Sequence, residues 1–303
     1  MTKPKLNQLE MLVAVADEGS FGGAAAALDC TQSRVSHGIG ELENTLGQRL
    51  LHRSRSGCTP TDAGHRVLAT ARQILRLAAS LGDAAREDAA VAGHLRLACF
   101  RSVSTHLLPS ALAALEADHP GLRVDVDDGF EERDALAQAL RDGRADVAIV
   151  QLPAGAGLRT RDYVADSYVL VAPGSLALRA PLSWEQLDGL PYIQLDCAGA
   201  LGVAARCREA GFAAPPARTL ATDSSIAALA ARGLGYSILP RLAVHPLPDG
   251  VQTMPLPIPA RRQFAIAAMP ATAREPAARA LIRYLANPAL QRQSEAYRKG
   301  LLE

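Results

Sequence analysis

Aromatic residues make up only 4% of the chain, which leaves too few rings for a surface that stacks the successive bases of a single strand. An excess of one charge is also missing. The 32 basic residues are balanced by 31 acidic ones, and with 49% of residues hydrophobic this excludes a wholly basic or a disordered protein. No apolar run approaches the roughly 18–20 residues that span a bilayer, so no membrane association is expected. Cys30, Cys58, Cys99, Cys197 and Cys207 are odd in number and far apart, which fits a reducing cytoplasm better than a disulfide framework. C-x-x-C and H-x-x-x-H pairs are absent, so neither a metal nor another cofactor is expected. Glu10, Asp17 and Glu18 interrupt the one apolar stretch near the N-terminus, as a secretory signal would not tolerate. The G-x-x-x-x-G-K-[ST] loop, the G-x-S-x-G elbow and the H-E-x-x-H helix are all missing, and the histidines are scattered. An enzyme is not expected.

What is present is an alanine-, leucine- and arginine-rich chain of 303 residues, long enough for more than one domain. Leu6, Leu9, Leu12, Val13 and Ala16 recur at helical spacing, and Gly19 follows as a stop. Ser20 can cap a second helix carrying Ala24, Ala25 and Leu28. After a break at Asp29-Cys30, Thr31 can cap a third, in which Val35, Ile39, Leu42 and Leu46 form one apolar stripe. Residues 49–61, with Gly57 and Pro60, read as a small hairpin or wing.

A long helix is expected over residues 61–90, with Val67, Ala71, Ile74, Ala78, Leu81 and Ala85 in a heptad-like seam widened by Leu68, Leu75 and Leu77. Such a seam needs a partner: its own domain or a second chain. Beyond Gly93, strands expected over 94–99, 122–126 and 145–150 alternate with helices over 105–118 and 131–142, which implies a parallel sheet with right-handed crossovers. A second set follows at 168–172, 192–195, 201–210, 224–232 and 236–239, and the tail returns with a strand at 264–268 and a helix at 276–285. The economical reading is two α/β lobes with a ligand cleft between them.

Residues 20–46 carry the parts of a helix-turn-helix: a packed helix, a tight turn and a second helix with a polar, acid-free outward side. Gln32 can pair with adenine edges and Arg34 with guanine or phosphate; Thr31, Ser33, Ser36 and His37 offer short polar groups, and Gly40 offers close approach. Arg53 and Arg55 on the wing can reach flanking phosphates. Net charge does not support this reading, because Lys3, Lys5, Arg34, Arg49, Arg53 and Arg55 face Glu10, Asp17, Glu18, Asp29, Glu41, Glu43 and Asp62. Only the clustering does, and three-helix units have other uses.

Residues 6–64 closely resemble the winged helix-turn-helix of LysR-type transcriptional regulators. The match runs through Leu9, Ala14, Gly19-Ser20-Phe21, Ala24-Ala25, Leu28, Gln32, Val35-Ser36, Ile39, Leu42-Glu43, Leu46-Gly47, Leu50-Leu51, Arg53, Thr61 and Ala63-Gly64. In the C-terminal half, Leu107-Leu108-Pro109, His119-Pro120, the segment from Asp142-Gly143 to Ile149, Gly233-Leu234-Gly235 and Leu239-Pro240 extend the resemblance over essentially the whole chain. It implies an α/β protein with a winged helix-turn-helix over 1–62, a linker and dimerisation helix over 63–91, and a periplasmic-binding-protein-like effector domain over 92–303. Lobe I is expected at about 92–162 and 268–303, and lobe II at about 163–267.

The resemblance further implies a homodimer or homotetramer on an imperfectly palindromic duplex, regulation by a small molecule and contact with RNA polymerase. It places the effector at Arg101, Ser102, Val103, Ser104, Gly129, Phe130, Thr222 and Asp223, where hydroxyls and helix N-termini favour a carboxylate. Ser104, Thr105 and Asp223 can equally be plain helix caps. Two departures stand out. Ser33 occupies a position where the family commonly has proline, and Gly38 and Gly40 replace bulkier polar residues at a cost of about 1 kcal/mol each relative to alanine. They either let the DNA backbone approach or let the free helix fray. Cys197 and Cys207 lie roughly where peroxide-sensing members carry a reactive pair, and Arg206 and Arg208 can lower a thiol pKa. Thiol-based sensing is therefore the alternative input, against a Cys207 that packs as a small hydrophobe.

Overall fold

The computed structural model describes residues 3–54, 57–79, 81 and 91–303. Helix α1 (Leu6–Glu18) ends at Gly19 in the left-handed conformation. Ser20 caps α2 (Phe21–Ala27), its Oγ accepting from the Gly23 N–H at 3.0 Å. Thr31 caps α3 (Gln32–Leu46) through the Arg34 N–H at 3.3 Å. Val35, Ile39 and Leu42 of the α3 stripe are fully buried against Leu12, Val15 and Ala24. Leu46, expected to complete the stripe, is instead exposed in the last turn, where α3 has run past the small core it packs on.

The hairpin is β1 (Leu51–Ser54) paired with β2 (Gly57–Pro60). A hydrogen bond from the Cys58 N–H to the Gly19 carbonyl, 2.7 Å, ties it to the turn between α1 and α2. Gly57 sits at φ +128°, and a Cβ there would lie 2.8 Å from that carbonyl oxygen, so a side chain would be strained on both counts. Helix α4 (Asp62–Ala79) buries Leu68 and Ala71 on the same core. Ile74, Leu77 and Leu81 are 40%, 52% and 70% exposed. The expected seam residue Ala85 lies outside the described residues.

Lobe I is built on β3 (Gly93–Phe100), α5 (Arg101–Asp118), β4 (Leu122–Phe130), α6 (Arg133–Arg141) and β5 (Val147–Gln151). β3 pairs parallel with β4 and β5, as the β-α-β rhythm implies. The sheet is nevertheless mixed. Both β6 (Arg159–Pro173) and the returning β11 (Arg261–Ala268) run antiparallel to their neighbours.

β6 is one continuous strand serving both lobes: up to Ser167 it pairs with β11, and from Tyr168 it pairs with β9 (Ser237–Pro240) and β10 (Val251–Pro255). The crossings therefore fall at Ser167/Tyr168 and ahead of Arg261, rather than at 162/163 and 267/268. Lobe II also holds β7 (Tyr192–Leu195), α7 (Ala198–Glu209), β8 (Pro216–Leu220) and α8 (Asp223–Ala231). Helix α9 (Pro276–Leu285) returns to close lobe I. Each lobe has its own hydrophobic core. Among the described residues no helix is long and apolar enough to cross a membrane.

Candidate nucleic-acid interface and interlobe cleft

On α3, Gln32, Ser33, Arg34 and His37 are exposed and Ser36 is half-buried. The first turn carries no acid, so the positive end of the helix dipole is uncompensated there. The nearer acid, Glu41, is occupied: it accepts from Gln8 Nε2 at 2.9 Å and stands 3.4 Å from His37 Nε2. Glu43 turns inward and accepts the Leu50 N–H at 2.8 Å, which fastens the start of the wing.

Arg53 is exposed but held. Its guanidinium lies 4.1 Å from the Phe21 ring centroid, and Nη1 donates to Ser36 Oγ at 3.4 Å. It thus couples wing, α2 and α3, besides facing outward. Arg55 lies outside the described residues. The two glycines differ. Gly38 is buried, and a Cβ there would overlap the Met11 sulfur, so the contact with α1 explains it and DNA approach does not. Gly40 has open space around it.

Between the lobes lies a cavity of about 300 Å³. The N-termini of α5, α6, α7 and α8 all converge on it, as the residues that line it show. Of the expected effector residues, Arg101, Ser102, Phe130, Thr222 and Asp223 line the cavity. Val103, Ser104 and Gly129 do not. Val103 points into the lobe I core because it falls on the buried face of α5. Ser104 Oγ donates to Asp128 Oδ2 at 2.9 Å, and the Gly129 N–H is held by Asp127 Oδ1 at 3.1 Å.

Three of the four helix ends already hold a carboxylate. Asp134 stands in the first turn of α6, Asp223 in that of α8, and Glu132 reaches across from lobe I to accept the Ala198 N–H of α7 at 2.9 Å. The fourth is free: α5 begins after Phe100, which cannot cap it, and has no acid in its first turn. Burial raises the Asp223 carboxyl above its ordinary pKa, Glu131 adding to the shift and Arg262 and Arg101 opposing it. Arg262 is itself buried and bound by Asp166 through two hydrogen bonds of 2.7 Å.

The family model described as "Bacterial regulatory helix-turn-helix protein, lysR family" matches residues 6–65, and that described as "LysR substrate binding domain" matches residues 88–288. The chain belongs to the LysR family. As a LysR-type chain it is a DNA-binding transcriptional regulator. It is 38% identical over 260 residues to the probable HTH-type transcriptional regulator LrrA of Synechococcus elongatus, covering 85% of this chain and 88% of that protein. It is 32% identical over 250 residues to a probable hydrogen peroxide-inducible genes activator of Streptomyces viridosporus, with 80% of each chain covered. Among solved structures, full-length OxyR of Pseudomonas aeruginosa with one cysteine replaced by aspartate aligns at TM-score 0.71, 24% identity, 97% of this chain and 98% of that one. CbnR in complex with its target DNA aligns at TM-score 0.51, 24% identity, 93% of this chain and 99% of that one, and shares the fold.

The two cysteines of this LysR-type chain differ in setting. Cys207 is fully buried in the lobe II core, and burial pushes its thiol up to about 11, outweighing Arg206 and Arg208, which were expected to lower it. Cys197 is half-buried, lines the cavity and is also raised by burial. Sequence reasoning missed the Glu132 bridge, the Glu43 wing anchor and the buried Arg262–Asp166 pair. Only the last left a signal: Asp166 is a charge set in the otherwise mostly apolar stretch of residues 163–173.

Proposed function

We propose that residues 1–62 read DNA, residues 63–91 pair two chains, and residues 92–303 sense a small molecule, in a regulator working in the cytoplasm. The observation that carries the DNA reading is the exposed N-terminal part of α3, which begins at the capped Thr31 and carries no acid from Gln32 to Gly40. Gln32 and Arg34 read base edges in the major groove, Ser33, Ser36, His37 and Thr31 contact bases or backbone, and Arg53 and Arg55 flank them on phosphate. The exposed stripe Ile74, Leu77 and Leu81 pairs with the same stripe of a second chain, which sets two α3 helices on two half-sites. Two such dimers make the tetramer that contacts RNA polymerase.

The effector binds in the interlobe cavity with an anionic group on the free N-terminus of α5, beside Ser102 and Arg101. It must bind one arrangement of the subunits better than the other, since equal affinity shifts nothing. The test is selection of duplexes from a random pool by the full chain, followed by mobility shifts with Gln32→Ala and Arg34→Ala. Each variant is expected to lose about 1–3 kcal/mol of binding to the selected duplex. Undiminished binding removes these residues from the readout.

A second reading, thiol oxidation as the input, is favoured by the similarity to peroxide-inducible activators and opposed by the buried Cys207. Free-thiol counting after peroxide treatment decides it. Loss of two thiols with a changed duplex affinity, abolished in Cys197→Ser with Cys207→Ser, supports oxidation; an unresponsive chain ends it.

A further inference from the structure

The charges lining the cavity do not balance. Arg262 is consumed by Asp166, Arg133 Nε stands 3.2 Å from Asp134 Oδ1, and Glu132 is held by the α7 N-terminus. Glu131 of lobe I and Asp223 of lobe II remain, and neither has an ion-pair partner among the described residues. One Asp223 carboxylate oxygen is buried with no hydrogen-bond partner from another residue. Both acids line the same cavity, Glu131 from lobe I and Asp223 from lobe II. Arg101, the one lining cation without an ion-pair partner among the described residues, begins α5, where an anion is wanted.

We infer that the effector is a small zwitterion of the amino-acid type, its carboxylate on the N-terminus of α5 and its ammonium group between Glu131 and Asp223. The inference rests on the cavity being the effector site. A simple carboxylate satisfies only one end and leaves the two lining acids uncompensated, and a dicarboxylate places a third negative charge beside them. An amine alone leaves the orphan N–H groups of α5 unmet. The cavity size, at the lower end of the ~300–1,000 Å³ typical of ligand sites, suits a molecule of this class.

Isothermal titration of the full chain with each proteinogenic L-amino acid, beside its deaminated acid and its decarboxylated amine, tests this; L-leucine, 4-methylpentanoate and 3-methylbutylamine form one such trio. At least one amino acid is expected to bind about tenfold or more tighter than either of its halves. Asp223→Asn should weaken that binding about tenfold and Glu131→Gln about threefold or more, with unchanged circular dichroism. Because Glu131 is exposed, its variant carries the test if Asp223→Asn fails to fold. Failure of every amino acid to bind, equal or tighter binding of the deaminated acids, or variants that bind as the parent does would each overturn the inference. A deaminated acid that binds and alters duplex affinity would overturn it while leaving the cleft reading intact. Ligand binding indifferent to both Ser102→Ala and Asp223→Asn would count against the cleft itself.

Discussion

Gly38 and Gly40 lie on the same helix and answer different demands. Gly38 makes room for Met11, so Gly38→Leu should destabilise the chain by about 1–3 kcal/mol in urea unfolding. Gly40 meets open space, so Gly40→Ala should stabilise it by about 0.5–1 kcal/mol. Equal effects would contradict the packing account of α3. Asp223 carries a pH signature. Its carboxyl is raised in the folded chain above the ordinary 3.8, so folding takes up a proton between the two values and stability falls as pH rises through that window. Asp223→Asn, which has no charge to bury, should therefore gain stability relative to the parent as the pH rises above the ordinary carboxyl value, as read in thermal melts. A constant difference across that range would contradict the burial. The caps at Ser20 and Thr31 were legible because an N-cap needs only a hydroxyl and a neighbouring amide. The orientation of Val103 was not, because an apolar residue beside two serines says nothing about which face of α5 it takes until the register of the helix is known.

At the scale of elements, the three-helix unit, the hairpin and α4 follow from spacing and stop signals that act within a few residues. Strands β8 and β10 did not announce themselves: each is a short segment in which Pro216 or Pro255 masks any clear alternation. The α4 seam makes the clearest element-level prediction. Leu77→Glu with Leu81→Glu places charge on an exposed apolar stripe, so it should leave the fold intact, lower the mass of the oligomer in sedimentation equilibrium and weaken duplex binding. An unchanged mass would move the pairing surface elsewhere.

Across the whole molecule, two arginines of α4 join the DNA-binding unit to the effector domain. Arg72, almost fully buried, pairs with Asp17 of α1 and donates to the Asp142 carbonyl at 2.7 Å. Arg76 stands 2.9 Å from the buried Asp146 of lobe I, which also binds Arg96. Arg72→Ala should cost about 1–3 kcal/mol in urea unfolding by leaving the half-buried Asp142 carbonyl without this donor. Such long-range pairs were invisible in the sequence, and the lobe crossing within β6 was placed only to within about five residues, because one continuous strand serves both lobes and its local pattern does not mark the change.

If α3 reads DNA, it lays its outward side in the major groove of the duplex. Guanine N7 faces that groove, so methylation interference on a duplex selected by the full chain tests the claim most directly. Strong interference is expected at guanines in two half-sites about one helical turn apart, or a multiple of it. Binding that ignores N7 methylation throughout the selected duplex would contradict it.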